Sequence, residues 1–273
     1  MHELVDIGAN LAHDSFDDDR EAVLERAREV GITEIVLTGS SDASNRDASA
    51  LALAHPGFLY STAGVHPHHA NDYTDDSDRL IRELAAQPQV VAVGECGLDY
   101  FRNYSPHDAQ RSAFERQLAI AIDTRKPVFL HQRDAHEDYL SVLDPVLDKL
   151  SRAVTHCFTG SEQELADYID RDLYIGITGW ICDERRGEHL QDIVHRIPDN
   201  RLMIETDAPY LLPRTLRPRP KSRRNEPHYL TEVLNTVARC RSQDVETVAQ
   251  LTTENARRFF ALPDRQSAES ATA

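Results

Sequence analysis

Eight short apolar stretches recur along the 273 residues of this chain, and each is followed by a segment long enough for an amphipathic helix. The stretches span residues 4–7, 34–37, 59–65, 90–94, 128–130, 153–155, 173–177 and 201–206. Alternating strands and helices are typical of α/β folds with a parallel sheet. Eight such pairs in a chain of this size favour a closed barrel over an open sheet. We therefore predict an α/β fold, the (β/α)8 TIM barrel.

Helical periodicity supports this prediction at several places. Apolar residues recur at helical spacing in segments 19–30 and 109–122, and two further helices are predicted over 227–240 and 244–260. Ser161 and Glu164 have the spacing of a capping box, which predicts a helix that begins after Ser161. Residues 1–262 are predicted to form a single barrel domain. The remainder, 263–273, is polar and small, and we expect a disordered tail there.

Four of the apolar stretches lead directly to a residue that can bind a metal ion, namely Glu95, His131, His156 and Asp207. The carboxyl ends of parallel barrel strands meet at one face, so these side chains are expected to lie close together. Each of them alone is better explained as a buried polar group with hydrogen-bond partners. Together, carboxylate and imidazole groups from four strand ends predict a site for a divalent metal ion. The sequence therefore favours a metal-dependent hydrolase.

Several other classes of protein are disfavoured. Neither GxGxxG nor GxxxxGK[ST] follows a predicted strand, which argues against the usual nucleotide-binding folds. No run of 18 apolar residues is present, so we expect no membrane-spanning helix, and the first residues lack the pattern of a secretory signal. The four cysteines form no CxxC pair, which is typical of reduced thiols. We expect a cytoplasmic monomer.

Ordered motifs along the whole chain resemble one family, the TatD-type metal-dependent deoxyribonucleases. The motifs are DIGANL at 6–11, GVHPH at 64–68, GECGLDY at 94–100, FLHQRDA at 129–135, HCFTG at 156–160, IGITGW at 175–180, ETDAPYL at 205–211 and RNEP at 224–227. The resemblance implies a TIM barrel of the metallo-dependent hydrolase type that hydrolyses phosphodiester bonds with Mg²⁺ or a similar ion. The DIGANL motif resembles the TatD-proper branch, which implies a 3′→5′ exonuclease that prefers single-stranded DNA and also degrades RNA.

The resemblance also implies roles for particular residues. Glu95, His131 and His156 are expected to bind the metal ion, and Asp207 is expected to be a further ligand or the base that activates water. The wider family has a His-x-His pair where this chain has Gly8 and Asn10, so two imidazole ligands are missing and the number of metal ions stays open. The remaining ligands suit Mg²⁺ or Mn²⁺ better than Zn²⁺, which is kept as an alternative.

Further side chains are expected to serve the reaction. Glu95 and Asp207 are predicted to be catalytic as well as metal-binding, and His66 is a candidate for contact with the leaving group or the transition state. His68 and His69 are interpreted as exposed loop residues. The residues predicted to bind substrate close to the metal ion are Asn10, Arg102 and Arg133.

A basic segment contrasts with the formal net charge of −16, which argues against a general nucleic-acid coat protein. Segment 214–224 is basic at six of its eleven positions, follows the last predicted strand, and contains prolines that favour an extended loop. The usual explanation for such a run is a solvated surface loop. Beside a metal site we predict instead that it contacts substrate phosphates through Arg217, Arg219, Arg223 and Arg224.

Two alternative functions are kept. A hydrolase of esters or amides, for example of aminoacyl-tRNA, could use the same groups on the same barrel. Amide hydrolases on this barrel usually have a lysine that bridges two metal ions in mid-barrel, whereas Lys126 lies at the start of a predicted strand. The second alternative is a non-catalytic partner protein, which the missing histidines favour and the four ligand-type residues disfavour.

Overall fold

Eight parallel β-strands form the centre of the fold in the computed structural model, which describes residues 2–263. The strands are β1 (Leu4–Ala9), β2 (Ile32–Leu37), β3 (Leu59–Ala63), β4 (Val90–Asp99), β5 (Val128–Arg133), β6 (Ala153–Thr155), β7 (Tyr174–Ile177) and β8 (Leu202–Ile204). Each strand pairs with the next one along the chain, so the order in the sheet is the order in the sequence. All eight predicted strands are confirmed, although β4 is longer and β8 shorter than predicted.

Backbone hydrogen bonds close the sheet into a barrel between β8 and β1. The amide of Asp207 donates to the carbonyl oxygen of Gly8 at 2.7 Å, and the amide of Asn10 donates to that of Ala208 at 2.6 Å. Both bonds lie just beyond the carboxyl end of β8. The predicted (β/α)8 barrel is therefore confirmed, and the segment that carries Asp207 makes the closing contact.

Helices surround the barrel. They are α1 (Arg20–Glu29), α2 (Asp42–Ala54), α3 (Asp75–Ala85), α4 (His107–Thr124), α5 (His136–Leu143), α6 (Glu162–Asp170), α7 (Glu188–Ile193), α8 (Leu230–Arg241) and α9 (Val245–Phe260). The four predicted helical segments correspond to α1, α4, α8 and α9. The predicted capping box is also confirmed, because the amide of Glu164 donates to the Ser161 hydroxyl and the amide of Ser161 donates to the Glu164 carboxylate.

Apolar side chains cover both faces of the strands. Val5, Phe129 and Met203 belong to a buried cluster inside the barrel, and Phe259 and Phe260 of α9 join it. On the outer face, a second cluster packs the strands against the surrounding helices. Burial on both faces explains why the strands are continuous apolar runs. Because α9 covers the amino-terminal end of the barrel, the carboxyl end is left for a functional site.

Three further predictions concern the chain as a whole. No helix within residues 2–263 is long and apolar enough to cross a membrane. The predicted tail at 263–273 lies outside the described residues from position 264 onward. The assignment of residues 1–262 to a single domain stays a prediction.

Candidate metal and active site

Glu95 lies at the centre of the site, and the backbone of β4 is irregular just before it. Gly94 has a φ of 134°, and a Cβ atom there would lie 2.2 Å from the carbonyl oxygen of Phe129. Glycine alone adopts this conformation without a clash. The register of β4 against β5 shifts between Gly94 and Cys96, as in a bulge. This irregularity sets where the buried Glu95 carboxylate lies at the active face.

Three imidazole rings surround one oxygen of the Glu95 carboxylate. Oε1 of Glu95 lies 2.8 Å from Nε2 of His156, 3.0 Å from Nδ1 of His131 and 3.3 Å from Nε2 of His66. His131 belongs to β5, His156 follows β6 directly, and His66 lies shortly after β3. The structure therefore brings four of the predicted site residues into direct contact.

Two of these imidazoles have a second carboxylate behind them. Nε2 of His131 lies 3.3 Å from Oδ2 of Asp99, and Nδ1 of His156 lies 3.3 Å from Oε2 of Glu205. A carboxylate at the far nitrogen of a histidine fixes the orientation of the ring and makes the near nitrogen a better metal ligand. Asp99 and Glu205 therefore support the two histidines that were predicted to bind the metal ion.

Burial and charge act against each other on the ionisable groups of this cluster. Burial lowers the pKa of His156, but the carboxylates of Glu95 and Glu205 raise it well above its ordinary value. Burial also lowers the pKa of His131, and hydrogen bonds to Asp99 and Glu95 raise it overall. Burial raises the pKa of Glu95, whereas the surrounding histidines lower it well below its ordinary value. The surrounding histidines thus keep the central carboxylate charged.

The donor atoms of the cluster fit a divalent metal ion. Ligand atoms of His66, Glu95 and His131 all lie within 4.8 Å of one another. His156 adds a further ring nitrogen on the same carboxylate oxygen. Imidazole nitrogen together with carboxylate oxygen is a donor set that Zn²⁺ and Mn²⁺ accept readily and Mg²⁺ accepts less readily. The residues present can therefore hold a divalent ion, although their chemistry does not select one metal.

The carboxylate of Glu205 lies close to Gly8, one of the two positions at which the resemblance led us to expect a histidine. A Cβ atom at Gly8 would lie 2.4 Å from Oε2 of Glu205, and one at Gly176 would lie 2.6 Å from its Oε1. The Glu205 carboxylate thus occupies the space beside β1 that a larger residue would need. It also accepts a hydrogen bond from the amide of Cys157 at 2.5 Å. The Glu205 carboxylate is fully buried.

Asp207 reaches the site from a loop and not from a strand. β8 ends at Ile204, and Asp207 has a φ of 54°, in the left-handed region that is unfavourable for residues with a side chain. Its Oδ1 accepts a hydrogen bond from Nδ2 of Asn10 at 3.2 Å. Burial raises the pKa of Asp207 to about 8, His156 opposes this rise and Glu95 adds to it. Asn10, predicted to bind substrate, is thus seen to orient Asp207, and its contact with substrate stays a prediction.

Asp99 belongs to the site although it was not predicted to, and the prediction that His68 is exposed is wrong. Nε2 of His68 lies 2.8 Å from Oδ2 of Asp99, the same oxygen that faces His131. His68 is therefore half-buried within the site and is not an exposed loop residue, whereas His69 is exposed as predicted. The carboxylate of Asp99 attracts both rings, and this attraction could not be deduced from a strand that was predicted to end at residue 94.

Arg102 and Arg133 flank the ring of Phe101 beside the site. The guanidinium carbon of Arg133 lies 3.8 Å from the ring centroid and that of Arg102 lies 5.6 Å from it. Phe101 itself is 51% exposed. Within residues 2–263 neither arginine forms an ion pair with a carboxylate, so both charges are available to a substrate. Their predicted contact with phosphate stays a prediction.

The basic loop 214–224 borders a groove of about 630 Å³ next to Trp180. The lining of this groove includes Arg219, Lys221, Arg223, Trp180 and Arg186. Arg217, Arg219 and Arg223 are exposed. Arg217 donates hydrogen bonds to two carbonyl oxygens of its own loop. These three arginines therefore lie where a polyanion could reach them.

Arg224 differs from the other arginines of this loop because it pairs with carboxylates. Its guanidinium group lies 2.7 Å from Oδ2 of Asp19 and 2.8 Å from Oε1 of Glu226, and it stacks over Phe16 with its carbon 4.7 Å from the ring centroid. The Arg224 guanidinium in turn lowers the pKa of Asp19. Two carboxylates pair with this side chain, so Arg224 fastens the loop to the barrel and is less available to phosphate than the unpaired arginines of the loop. The predicted substrate contact of Arg224 stays a prediction.

A closed parallel barrel with imidazoles gathered around a buried carboxylate at its carboxyl face defines the class of metal-dependent hydrolases. A sequence model of the family described as TatD related DNase matches residues 5–261. The chain is 51% identical over 259 residues to a 3′-5′ ssDNA/RNA exonuclease TatD of Pantoea ananatis, which covers 95% of this chain and all of that protein. The protein of the same name from Dickeya dadantii is 53% identical over 257 residues, covering 94% and 97%.

Solved structures agree with these relatives. The crystal structure of YJJV, a TatD homologue from Escherichia coli, superposes with a TM-score of 0.86 at 27% identity and covers 95% of this chain and 98% of that one. A hydrolase TatD family protein from Entamoeba histolytica gives the same TM-score at 24% identity, covers 96% and 99%, and shows the shared fold. The chain belongs to the TatD related DNase family.

Proposed function

We propose that this chain is a metal-dependent 3′→5′ exonuclease that hydrolyses single-stranded DNA and RNA. The observation that carries the proposal is the convergence of three imidazoles on Glu95 at the active face, with distances of 2.8, 3.0 and 3.3 Å. The names of relatives about half identical to nearly the whole chain support the polarity and the substrate class.

Each residue of the site has a distinct task in this proposal. A bound divalent ion would supply a Lewis acid that polarises a phosphoryl oxygen and makes a water molecule more acidic. We keep the predicted Mg²⁺ as the proposed ion, although the imidazole donors bind Mn²⁺ more readily. Glu95, His131 and His156 hold that ion. The Asp207 carboxylate, oriented by Asn10, accepts the proton of the attacking water or holds that water in line with phosphorus.

The position of Lys126 weighs against amide hydrolysis with a bridging lysine. Nζ of Lys126 donates to the carbonyl oxygen of Val90 at 2.6 Å. Val90 is the first residue of β4, whereas Glu95 lies further along the same strand at the active face. A lysine at the amino-terminal end of the barrel cannot bridge metal ions at Glu95, so the phosphodiester is the favoured substrate.

End-labelled substrates and defined metal ions test this activity and its direction. With Mg²⁺, a 5′-labelled single strand is expected to give a ladder of shortening products, whereas a 3′-labelled strand releases its label at once as a mononucleotide. EDTA should abolish both, and Mn²⁺ should restore activity at a lower concentration than Mg²⁺, because imidazole nitrogen binds Mn²⁺ more readily. Early release of the 5′ label would contradict the polarity, and full activity in EDTA would contradict the metal dependence.

Aromatic and guanidinium groups form a path for a single strand beside the site. A second groove, of about 420 Å³, contains Phe101 and Arg133 and shares Trp180 and Arg186 with the groove of the basic loop. Arg186 stacks on Trp180 at 4.3 Å, much as Arg133 stacks on Phe101, but Arg186 also pairs with Asp183 at 2.9 Å, whereas Arg133 has no carboxylate partner among residues 2–263. Rings of this kind stack on any base, and guanidinium groups bind phosphates. The path therefore suits a strand of arbitrary sequence.

The basic loop is expected to contact phosphates without reading bases. Replacing Arg217, Arg219 and Arg223 together by glutamine should weaken binding equally for all sequences. The slope of log Kd against log salt concentration should decrease by up to about 0.7 for each lost phosphate contact, since fewer counterions are displaced. Fluorescence anisotropy of labelled oligonucleotides over a series of salt concentrations measures this slope, with Ca²⁺ or EDTA used to suppress hydrolysis.

Arg224→Gln is the matched control for this triple variant. Because Arg224 already pairs with Asp19 and Glu226, its loss should leave the salt slope unchanged. It should instead lower the free energy of unfolding by about 1 kcal/mol, a decrease in Tm of roughly 2–4 °C. A wild-type slope in the triple variant would exclude the loop from substrate binding.

We also propose that the protein acts in the cytoplasm as a monomer. Its four cysteines are free thiols in the structure, which suits a reducing compartment. Light scattering coupled to size-exclusion chromatography is expected to give the mass of one chain. A mass of two chains at micromolar concentration would contradict the monomer.

A further inference from the structure

The three imidazoles around Glu95 differ in what lies at their far nitrogen. Behind His131 and His156 stand the carboxylates of Asp99 and Glu205, which can only accept hydrogen bonds. Each of these rings can therefore keep a proton on its far nitrogen and leave the nitrogen that faces Glu95 free for a metal ion. The hydrogen-bond partner of the far ring nitrogen therefore decides which ring nitrogen can bind the metal ion.

His66 has the opposite kind of partner. Its Nδ1 lies 3.0 Å from the backbone amide nitrogen of His68, and an amide N–H can only donate. That bond also caps the 3-10 turn Pro67–Asp72, so it belongs to the local fold. Nδ1 of His66 must then be the acceptor, and in a neutral ring the proton is placed on Nε2, which faces Oε1 of Glu95. A nitrogen that carries a proton cannot bind a metal ion.

We propose that His66 is the hydrogen-bond donor of the site and not a third imidazole ligand. The inference rests on the proposed nuclease function for the identity of its acceptor, which is an oxygen of the scissile phosphate. Nε2–H of His66 is buried and points to the same carboxylate oxygen that the two ligand histidines face. A donor fixed there by the backbone stabilises the charge that develops on the phosphate during hydrolysis.

The position of His66 in the chain fits this role. His131 lies on a strand and His156 follows one directly, whereas His66 begins a turn and is held by that turn's own amide. The arrangement needs no carboxylate behind the ring, and Asp99 is engaged with His68 and His131 instead. His66 is thereby set apart from the metal ligands although its ring lies 4.4 Å from that of His131.

One substitution made at two histidines separates a donor from a ligand. Asparagine retains an acceptor near the position of Nδ1 and removes Nε2, which is the nitrogen that faces Glu95 in both His66 and His156. His66→Asn is expected to keep the Kd for Mn²⁺ within about threefold of wild type, and His156→Asn to weaken it by more than tenfold. Calorimetry of the apo protein with Mn²⁺ measures both without any substrate. Equal weakening in the two variants would overturn the proposal.

Kinetics then test what the donor does. His66→Asn is expected to lower kcat on a single-stranded oligonucleotide by about 10²–10³-fold, the usual effect of removing one such donor. His66→Gln, whose amide N–H lies near the position of Nε2, should recover at least tenfold of that loss. An inactive Gln variant with normal Mn²⁺ affinity would contradict donation. A wild-type enzyme that binds Mn²⁺ but cleaves no nucleic acid would contradict the proposed function. The Mn²⁺ affinities of the two asparagine variants would still show whether His66 is a metal ligand.

An NMR measurement on the wild-type protein locates the proton of His66 directly, so it does not depend on the fold of the variants. In wild-type protein with ¹⁵N-labelled histidine and saturating Mg²⁺, the imidazole nitrogen shifts report which nitrogen carries the proton. The His66 signals, assigned by their absence from the His66→Gln spectrum, are expected to show a protonated Nε2 and an unprotonated Nδ1. The reverse pattern would overturn the proposal.

Discussion

Replacing the Glu95 carboxylate by an amide, Glu95→Gln, is expected to lower kcat/KM on the order of 10³-fold. One oxygen of this carboxylate is the meeting point of three imidazoles, and the side chain is 8% exposed. The amide has the same shape but lacks the negative charge that attracts a cation. Affinity for Mn²⁺ should therefore fall by more than tenfold in the same variant. Calorimetry gives the affinity, and initial rates on a 5′-labelled single strand at saturating Mg²⁺ give kcat/KM.

Glu34→Gln supplies a matched control for this experiment. Glu34 is also a buried glutamate on a strand, 2% exposed, but it lies 3.1 Å from a guanidinium nitrogen of Arg257 in α9, at the opposite end of the barrel. Its substitution is expected to lower Tm through the lost ion pair while kcat/KM and Mn²⁺ affinity stay at wild-type values. If both variants lost activity in proportion to their stability, the loss at Glu95 would reflect folding and not catalysis.

The strands could be predicted because parallel strands buried on both faces are apolar throughout. Their ends could not, since they depend on partners elsewhere in the chain. β4 continues past Glu95 to Asp99, because its pairing with β5 resumes after the bulge and joins Asp99 to Arg133. β8 stops at Ile204, where the chain turns toward β1. Neither the pairing of β4 with β5 nor the turn toward β1 can be deduced from the periodicity of the sequence.

The same limit explains which site residues were found. Glu95, His131 and His156 stand directly after apolar runs, so their place at the active face followed from the strands. Asp99 was missed because β4 was ended too early. Alternate residues of a strand share a face, so a longer β4 would have pointed to Asp99, and Asp99 would have pointed to His68.

Long-range partners set Arg224 apart from the other arginines of the basic loop. A run of basic residues predicts a charged surface, but it does not reveal which members are neutralised. Asp19 lies far from Arg224 in sequence, and the pair forms because α1 and the loop after β8 are neighbours across the closure of the barrel. Arg217, Arg219 and Arg223 find no such carboxylate within residues 2–263. Arg214 of the same run pairs with Glu184 at 2.9 Å. The structure thus divides the basic run into arginines that pair with carboxylates, Arg214 and Arg224, and unpaired residues, of which Arg219 and Arg223 line the groove.

Substitution of Asp207 tests whether its carboxylate is the group that activates the attacking water. Asp207→Asn is expected to lower kcat by about 10²–10⁴-fold, because an amide cannot accept a proton from water, while KM and Mn²⁺ affinity change less than about threefold. Asparagine tolerates the left-handed backbone at φ 54°, so the fold of the loop should persist. Recovery of kcat at high Mn²⁺ would show instead that Asp207 is mainly a ligand, and a normal kcat at ordinary metal concentration would exclude both roles.

A control for the backbone of Asp207 completes this test. Asp172 also has a left-handed conformation, with a φ of 60°, and pairs with Arg201 at 2.8 Å in the loop that precedes β7. Because that loop lies at the amino-terminal end of the barrel, Asp172→Asn should leave kcat, KM and metal affinity unchanged. The ratio of kcat between the two variants then gives the contribution of the Asp207 carboxylate to catalysis. Any effect of replacing an aspartate in a left-handed loop is common to both variants and cancels. Comparable losses of kcat in both would show that loop conformation, and not proton acceptance, limits the reaction.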